Sequence, residues 1–109
     1  MAYDENAAAR LRAELGTLPG LTEKKMFGGI CYMISGNMVC GVLGDELIMR
    51  VGAAQYTASL AQPGARVFDF SGKPMAGWVM VAPVGYASED DLARWLKLAV
   101  AFAGSLPAK

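Results

Sequence analysis

The segment KMFGGICYMISGNMVCGVLGDELIMRV, residues 25–51, decides the fold. It contains three runs of apolar and β-forming residues, which the dipeptides Ser35-Gly36 and Gly44-Asp45 separate. Glycine-containing dipeptides between apolar runs are typical of tight hairpin turns. The segment therefore predicts an antiparallel meander with strands at residues 25–34, 37–43 and 46–51.

The second hairpin of this meander fixes its own register if residues 44 and 45 form a two-residue loop, because Leu43 then faces Glu46. One face carries Met38, Cys40, Val42, Leu47, Met49 and Val51. The opposite face carries Val39, Gly41, Leu43, Glu46, Ile48 and Arg50. This second face is mixed rather than polar, so we expect both faces of the sheet to be at least partly covered.

Helical patterns precede, interrupt and follow the strands. Alanine-rich spacing over residues 4–15 predicts a first helix, and residues 52–62 can hold a short second one. Ser88, with an acidic residue three positions later, starts a third helix. One apolar stripe then runs along it through Leu92, Trp95, Leu96, Ala99, Phe102 and Ala103.

Two further short strands are predicted at residues 66–70 and 78–82, on either side of a glycine-rich loop. The element order is thus α-βββ-α-ββ-α. This order predicts one α+β domain over residues 1–109, with two layers. In it, helices cover one face of a mostly antiparallel five-stranded sheet.

Composition argues against several function classes. Apolar residues make up 54% of the chain and charged residues 18%, which is typical of a folded domain with apolar surface to spare. Lysine plus arginine equals aspartate plus glutamate, ten each, so no overall field attracts nucleic acid or an anionic membrane. The N-terminus lacks the pattern of a signal peptide, and no apolar run reaches spanning length. We therefore expect a cytoplasmic protein that does not associate with a membrane.

The absence of histidine removes imidazole bases, Ser-His-Asp triads and most zinc and iron sites. The two cysteines, Cys31 and Cys40, have no CxxC spacing, so catalysis by cysteine is not expected. They lie opposite each other if residues 35 and 36 form a two-residue turn, and on opposite faces if the loop shifts by one residue. The sequence therefore predicts a protein that is not an enzyme and has no cofactor or metal, with reduced core thiols favoured over a disulfide.

Gly28 and Gly29 invite comparison with a phosphate-binding loop, but the following Lys-Ser/Thr and the strand-to-helix setting of such loops are missing. A structural role within a strand is favoured, as a bulge or a point of close approach. In the register above, Gly29 lies under the helix layer and Gly28 on the other face. A helix is then expected to pack on one side, and a loop or second subunit on the other.

Five basic residues lie at predicted strand ends or loops: Lys24, Lys25, Arg50, Arg66 and Lys73. Their convergence would make a local patch for an anion or nucleic acid, but scattered solvated charges are the favoured interpretation. Direct nucleic-acid binding through this patch is therefore the alternative hypothesis.

The order and separation of several short motifs resemble the N-terminal domain of the TfoX/Sxy competence regulators, from about Gly16 to Phe102. The motifs are Met26-Phe27-Gly28-Gly29, the meander with its Ser-Gly and Gly-Asp turns, Gly72-Lys73-Pro74-Met75 before an aromatic strand, and the closing helix around Trp95. The resemblance implies a fold like that of the type III secretion chaperones, which commonly dimerises. It also implies a non-enzymatic role linked to transcription of DNA-uptake genes.

The leading hypothesis is therefore a regulatory or adaptor protein that acts by protein–protein contact and forms a homodimer. Its unidentified protein partner would belong to the transcription machinery, as the resemblance implies. The expected interface is the second face of the sheet, with Ile30, Val39, Gly41, Leu43 and Ile48.

Overall fold

The structure, a computed structural model, describes residues 3–26, 28–69 and 72–107. Three α-helices lie within these ranges: α1 (Glu5–Leu15), α2 (Tyr56–Leu60) and α3 (Glu89–Gly104). The strands are β1 (Leu21–Met26), β2 (Gly29–Ile34), β3 (Asn37–Leu43), β4 (Glu46–Arg50), β5 (Ala65–Val67) and β6 (Trp78–Val81). Single 3₁₀ turns at Ala53–Gln55 and Pro83–Gly85 complete the regular structure of the described residues.

The six strands of the described residues form one sheet in the order β1-β2-β3-β4-β6-β5, and every pair of named strands is antiparallel. The α+β fold is confirmed, but the predicted count of five strands was wrong. The single strand expected at residues 25–34 is two strands, with Met26 paired to Gly29. Gly28 lies in the turn between them with φ of 76°, a left-handed backbone that glycine adopts without strain. Position 27 of this turn lies outside the described residues.

The meander has the predicted register in its second hairpin, where Leu43 pairs with Glu46. The first hairpin also begins as predicted, with Ile34 paired to Asn37. The register then shifts by one residue, because Met38 pairs with Met33 whereas Cys40 pairs with Tyr32. This is a β-bulge, in which two residues of one strand oppose one residue of its partner.

The bulge changes which side chains share a face of the sheet. Val39 was predicted on the second face, but it is fully buried in the same cluster as Cys40. Ile30 also belongs to this cluster, because it pairs with Val42. The bulge therefore lets two consecutive residues of β3, Val39 and Cys40, enter the core.

All three α-helices pack on one face of the sheet. Helix α1 contacts β3, α3 contacts β3 and β4, and α2 contacts β5 and β6. Asp4 caps α1 by accepting from the backbone N–H groups of Asn6 and Ala7, and Ser88 caps α3 through Asp91 N–H. Helix α3 begins after the predicted cap at Ser88, and α1 begins one residue after its predicted start.

Buried hydrogen bonds tie the helix layer to the sheet and its loops. The Tyr32 hydroxyl donates to the carbonyl oxygen of Ala8 at 3.1 Å, and joins β2 to α1. The indole N–H of Trp95, on α3, donates to the Gly85 carbonyl at 3.1 Å. Each bond gives a polar atom of a buried aromatic residue a partner, as a close-packed interior requires. Among the described residues, no helix is long and apolar enough to cross a membrane.

Candidate interaction surface

The second face of the sheet, called the open face below, carries none of the three helices. One row of paired residues crosses it from edge to edge: Lys24, Cys31, Gly41, Ile48, Met80 and Arg66. The apolar residues of this row are almost completely buried, with Cys31 2%, Ile48 5% and Met80 3% exposed. The open face therefore has an apolar floor with a basic residue at each end.

Two glycines leave the open face without side chains at their positions on β2 and β3. A Cβ atom on Gly41 would lie 2.6 Å from the carbonyl oxygen of Ile30, and one on Gly29 would overlap the carbonyl oxygen of Val42. Strands β2 and β3 thus approach each other too closely for a larger residue at either position. Gly29 was predicted to lie under a helix, and this was wrong, because its close neighbour is the adjacent strand on the open face.

Half-buried apolar side chains surround this floor. Met33 and Met38 are directly paired across β2 and β3, and Leu43 lies further along β3. At the other side of the sheet, Phe68 and the half-buried Trp78 have their ring centroids 6.0 Å apart. The open face is therefore apolar at its rim as well as at its floor, which is unusual for a sheet face in contact with water.

Arg50 lies at the end of β4, where its side chain contacts two aromatic rings. Its guanidinium carbon is 5.0 Å from the centroid of Trp78 and 5.3 Å from that of Phe102. Such cation–π contacts restrict the side chain and leave the edges of the guanidinium plane for hydrogen bonds.

Arg66, at the far edge of the sheet, is engaged by carboxylates. Its Nε and Nη2 atoms donate to the two oxygens of Glu46 at 3.0 and 2.6 Å, and Asp69 lies 3.8 Å away. The hydrogen bond with Glu46, more than any other cause, raises the pKa of Arg66 above its ordinary value. The charge of this arginine is thus largely compensated within the chain.

The structure spreads the five basic residues of the predicted patch rather than gathering them. Lys24 and Arg66 stand at opposite edges of the sheet, five strand spacings or about 24 Å apart. Lys25 belongs to the other face of β1, because it pairs with Ile30 of the core. Lys73 is exposed in the loop between β5 and β6. Of the five, Lys24 and Arg66 lie on the open face by strand alternation, whereas the guanidinium of Arg50 contacts Phe102 of α3 at the end of β4.

Two of the motifs that carry the family resemblance, the one that begins at Met26 and the one that begins at Gly72, lie at the two sides of the sheet. Met26 ends β1, Gly28 lies in the turn and Gly29 begins β2, and position 27 lies outside the described residues. Residues 72–75 belong to the β5–β6 loop, where Gly72 has φ of 89° and donates its N–H to the Asp69 carbonyl at 2.8 Å. Pro74 is exposed, and Met75 is 36% exposed next to it. Positions 70 and 71 of this loop are likewise outside the described residues.

The two cysteines lie on opposite faces of the sheet, Cys40 in the core and Cys31 on the open face. Of the two registers that the sequence allowed, the one that sets them opposite each other was wrong, because the bulge pairs Cys31 with Gly41 instead. Burial raises the pKa of each thiol. Raised values favour the neutral thiol over the reactive thiolate. No group of three potential metal ligands occurs among the described residues.

Sequence reasoning missed Met33, Met38 and Trp78 as members of the open face. It placed Met38 in the core because period-two alternation was carried through the bulge. A signal was present, since Met38, Val39 and Cys40 are three consecutive apolar residues, which regular alternation does not explain.

An antiparallel sheet with helices on one face and an apolar second face defines a small α+β domain with a surface suited to protein contacts. The family model described as the TfoX N-terminal domain matches residues 13–103, and the chain belongs to this family. Membership supports a protein of regulatory or adaptor type in general. No curated protein and no solved structure matches the chain.

Proposed function

We propose that this protein is a non-enzymatic regulatory or adaptor protein that acts through protein contacts made by its open face. The observation that supports the proposal is the apolar rim of that face, with Met33, Met38, Leu43 and Trp78 half-buried around a nearly buried floor. Methionine side chains adapt to the shape of a partner, and apolar patches on a sheet face are typical of interaction sites.

The first partner that we propose is a second copy of the chain. A two-fold dimer buries the same patch on both subunits, so one apolar face is enough to form it. The basic ends of the row, at Lys24 and Arg66, would then lie at the periphery of the interface, where charged residues are tolerated.

Sedimentation velocity at micromolar concentration tests this dimer. We expect the wild-type protein to sediment as a dimer and Met38→Lys to sediment as a monomer, because the lysine places a charge within the apolar interface. Val84→Lys is the matched control, since Val84 is apolar, 68% exposed and outside the open face. A wild-type protein that remains monomeric, or a Met38→Lys protein that remains dimeric, would contradict the proposed interface.

We further propose that the protein regulates transcription, in a competence-like role, by contact with the transcription machinery. Family membership is the support for this step. The experiment is affinity capture from the native host with immobilised wild-type protein, Met38→Lys and Val84→Lys, followed by mass spectrometry. We expect RNA polymerase or a transcription factor with the wild-type and Val84→Lys proteins. Recovery of neither would count against a role in transcription, whereas equal recovery by Met38→Lys would show that the contact requires neither the open face nor the dimer.

A further inference from the structure

A cleft separates α2 from α3 on the helix side of the molecule, away from the open face. Its volume is about 440 Å³, which lies within the usual range for small-molecule sites. The α2 side contributes Gln55, Ser59 and Gln62, and the α3 side contributes Arg94, Lys97 and Leu98. The cleft thus combines an apolar wall with amide, hydroxyl and cationic groups.

Ser59 is the first feature that distinguishes this cleft from a simple packing gap. Its side chain is 2% exposed, and its hydroxyl oxygen has no hydrogen-bond partner. A buried hydroxyl without a partner destabilises the folded chain, and an alanine at this position would avoid that cost. Ser59 lines the cleft, and a serine hydroxyl takes up any of three staggered positions by rotation about its Cα–Cβ bond.

The charges of the cleft are the second feature. Arg94 donates to the Gln62 side chain at 3.2 Å and to the Asp91 carboxylate at 3.0 Å, so its guanidinium is held in place beside the cleft. The hydrogen bond that Asp91 accepts from Arg94 is the main reason that the pKa of Asp91 is lowered. Lys97 is exposed, and no carboxylate of the described residues lies within 4.0 Å of its ammonium group. Two cations therefore face one carboxylate, which leaves a net positive charge at the cleft.

We propose that this cleft binds a small organic anion, with its carboxylate or phosphate group between Arg94 and Lys97 and its apolar body against Leu98. The Ser59 hydroxyl donates a hydrogen bond to the bound molecule, and so gains the partner that the chain itself does not supply. The fixed guanidinium favours an anionic group with planar or tetrahedral oxygens. A neutral molecule of the same shape would leave the excess positive charge uncompensated.

Titrations followed by ¹H–¹⁵N NMR test this site with benzoate, phenyl phosphate and the neutral benzamide as probes. We expect saturable shifts of the amide signals of residues 55–62 and 94–101 with one or both anions below about 10 mM. We expect benzamide to bind at least about tenfold more weakly. The relative affinities of the two anions show whether a carboxylate or a phosphate is preferred. Absence of saturable shifts, shifts centred elsewhere, or equal binding of benzamide would overturn the proposal.

Variants separate the roles of the lining residues. Lys97→Gln and Ser59→Ala should each weaken binding of the preferred anion about tenfold, while Ser59→Ala should keep or raise thermal stability because it removes the unpartnered hydroxyl. Ala101→Trp, at the exposed rim of the cleft, should block binding by filling the cavity. Lys24→Gln is the control for charge, because Lys24 lies on the open face. Unchanged affinity in both Lys97→Gln and Ser59→Ala would refute the assignment, even if the probe binds.

Discussion

The buried tyrosine Tyr32 offers a quantitative test of the contact between sheet and helix layer. Its side chain is 1% exposed, and its hydroxyl donates to the Ala8 carbonyl of α1. Burial is the main reason that the pKa of Tyr32 is raised to about 12, whereas the neighbouring Arg12 acts in the opposite direction. The perturbation is Tyr32→Phe, combined with a change of pH from 8 to 12.

The sign of the pH effect follows from the raised pKa. The folded protein prefers the neutral phenol, so the contribution of Tyr32 is fully present below its unfolded pKa of about 10. It is lost as the pH rises through the folded value of about 12, and the total loss is about 3 kcal/mol. Tyr32→Phe loses the hydrogen bond to Ala8 instead, at a cost of about 1 kcal/mol at pH 8.

Chemical denaturation at a series of pH values measures both effects. We expect wild type to be the more stable protein at pH 8, and the two stability curves to cross between about pH 10 and 12, above which Tyr32→Phe is more stable. Other groups that titrate at alkaline pH are common to both proteins, so they cancel in the difference. A difference in unfolding free energy that stays constant from pH 8 to 12 would refute the reasoning.

Three further predictions concern the sheet. Gly29→Ala should lower the free energy of unfolding by about 1–3 kcal/mol in denaturation experiments, because its methyl group meets the backbone of β3. The control Gly104→Ala meets no atom and should be neutral or stabilising by up to about 1 kcal/mol. Equal effects of the two substitutions would contradict the close approach of the strands. Thiol titration without reductant should find Cys31 and Cys40 both free after unfolding and slow to react before it, since they are buried on opposite faces; fewer than two thiols would reveal a disulfide. A titration with duplex DNA at about 50 mM salt should show no salt-dependent binding, because the basic residues are dispersed; binding that weakens steeply with salt and requires Lys24 would restore the nucleic-acid alternative.

The sequence predicted those parts of the fold in which local turn chemistry and burial agree. Gly44 and Asp45 form a tight connection between β3 and β4, and both strands are buried over most of their length, as their apolar composition indicates. The cap at Ser88 likewise precedes an apolar helical stripe that faces the core. Where two independent signals coincide, a single sequence is sufficient.

Strand β1 was missed because its residues show no alternation of apolar and polar side chains. It is an edge strand, and its residues 22–25 are exposed on both faces, so Thr22, Glu23, Lys24 and Lys25 resemble a loop in composition. Charged residues on an edge strand protect it from pairing with other chains, and they also conceal it from pattern analysis. The adjacent glycines at 28 and 29 were compatible with a strand, a bulge or a turn, and only the pairing of Met26 with Gly29 distinguishes these.

The bulge at Val39 connects the incorrectly predicted register of β2 and β3 to the proposed function. In a regular ladder with Cys40 still in the core, Cys31 would face Cys40, and Val39 would lie on the second face. The extra residue instead places Val39 in the core and leaves Met38 beside Met33 on the open face. A stiff, branched side chain is thereby buried where it packs well, and two flexible thioethers occupy the surface that a partner would meet. The bulge therefore determines the chemistry of the open face as well as the register of the sheet, and a change that removed it would be expected to alter both together.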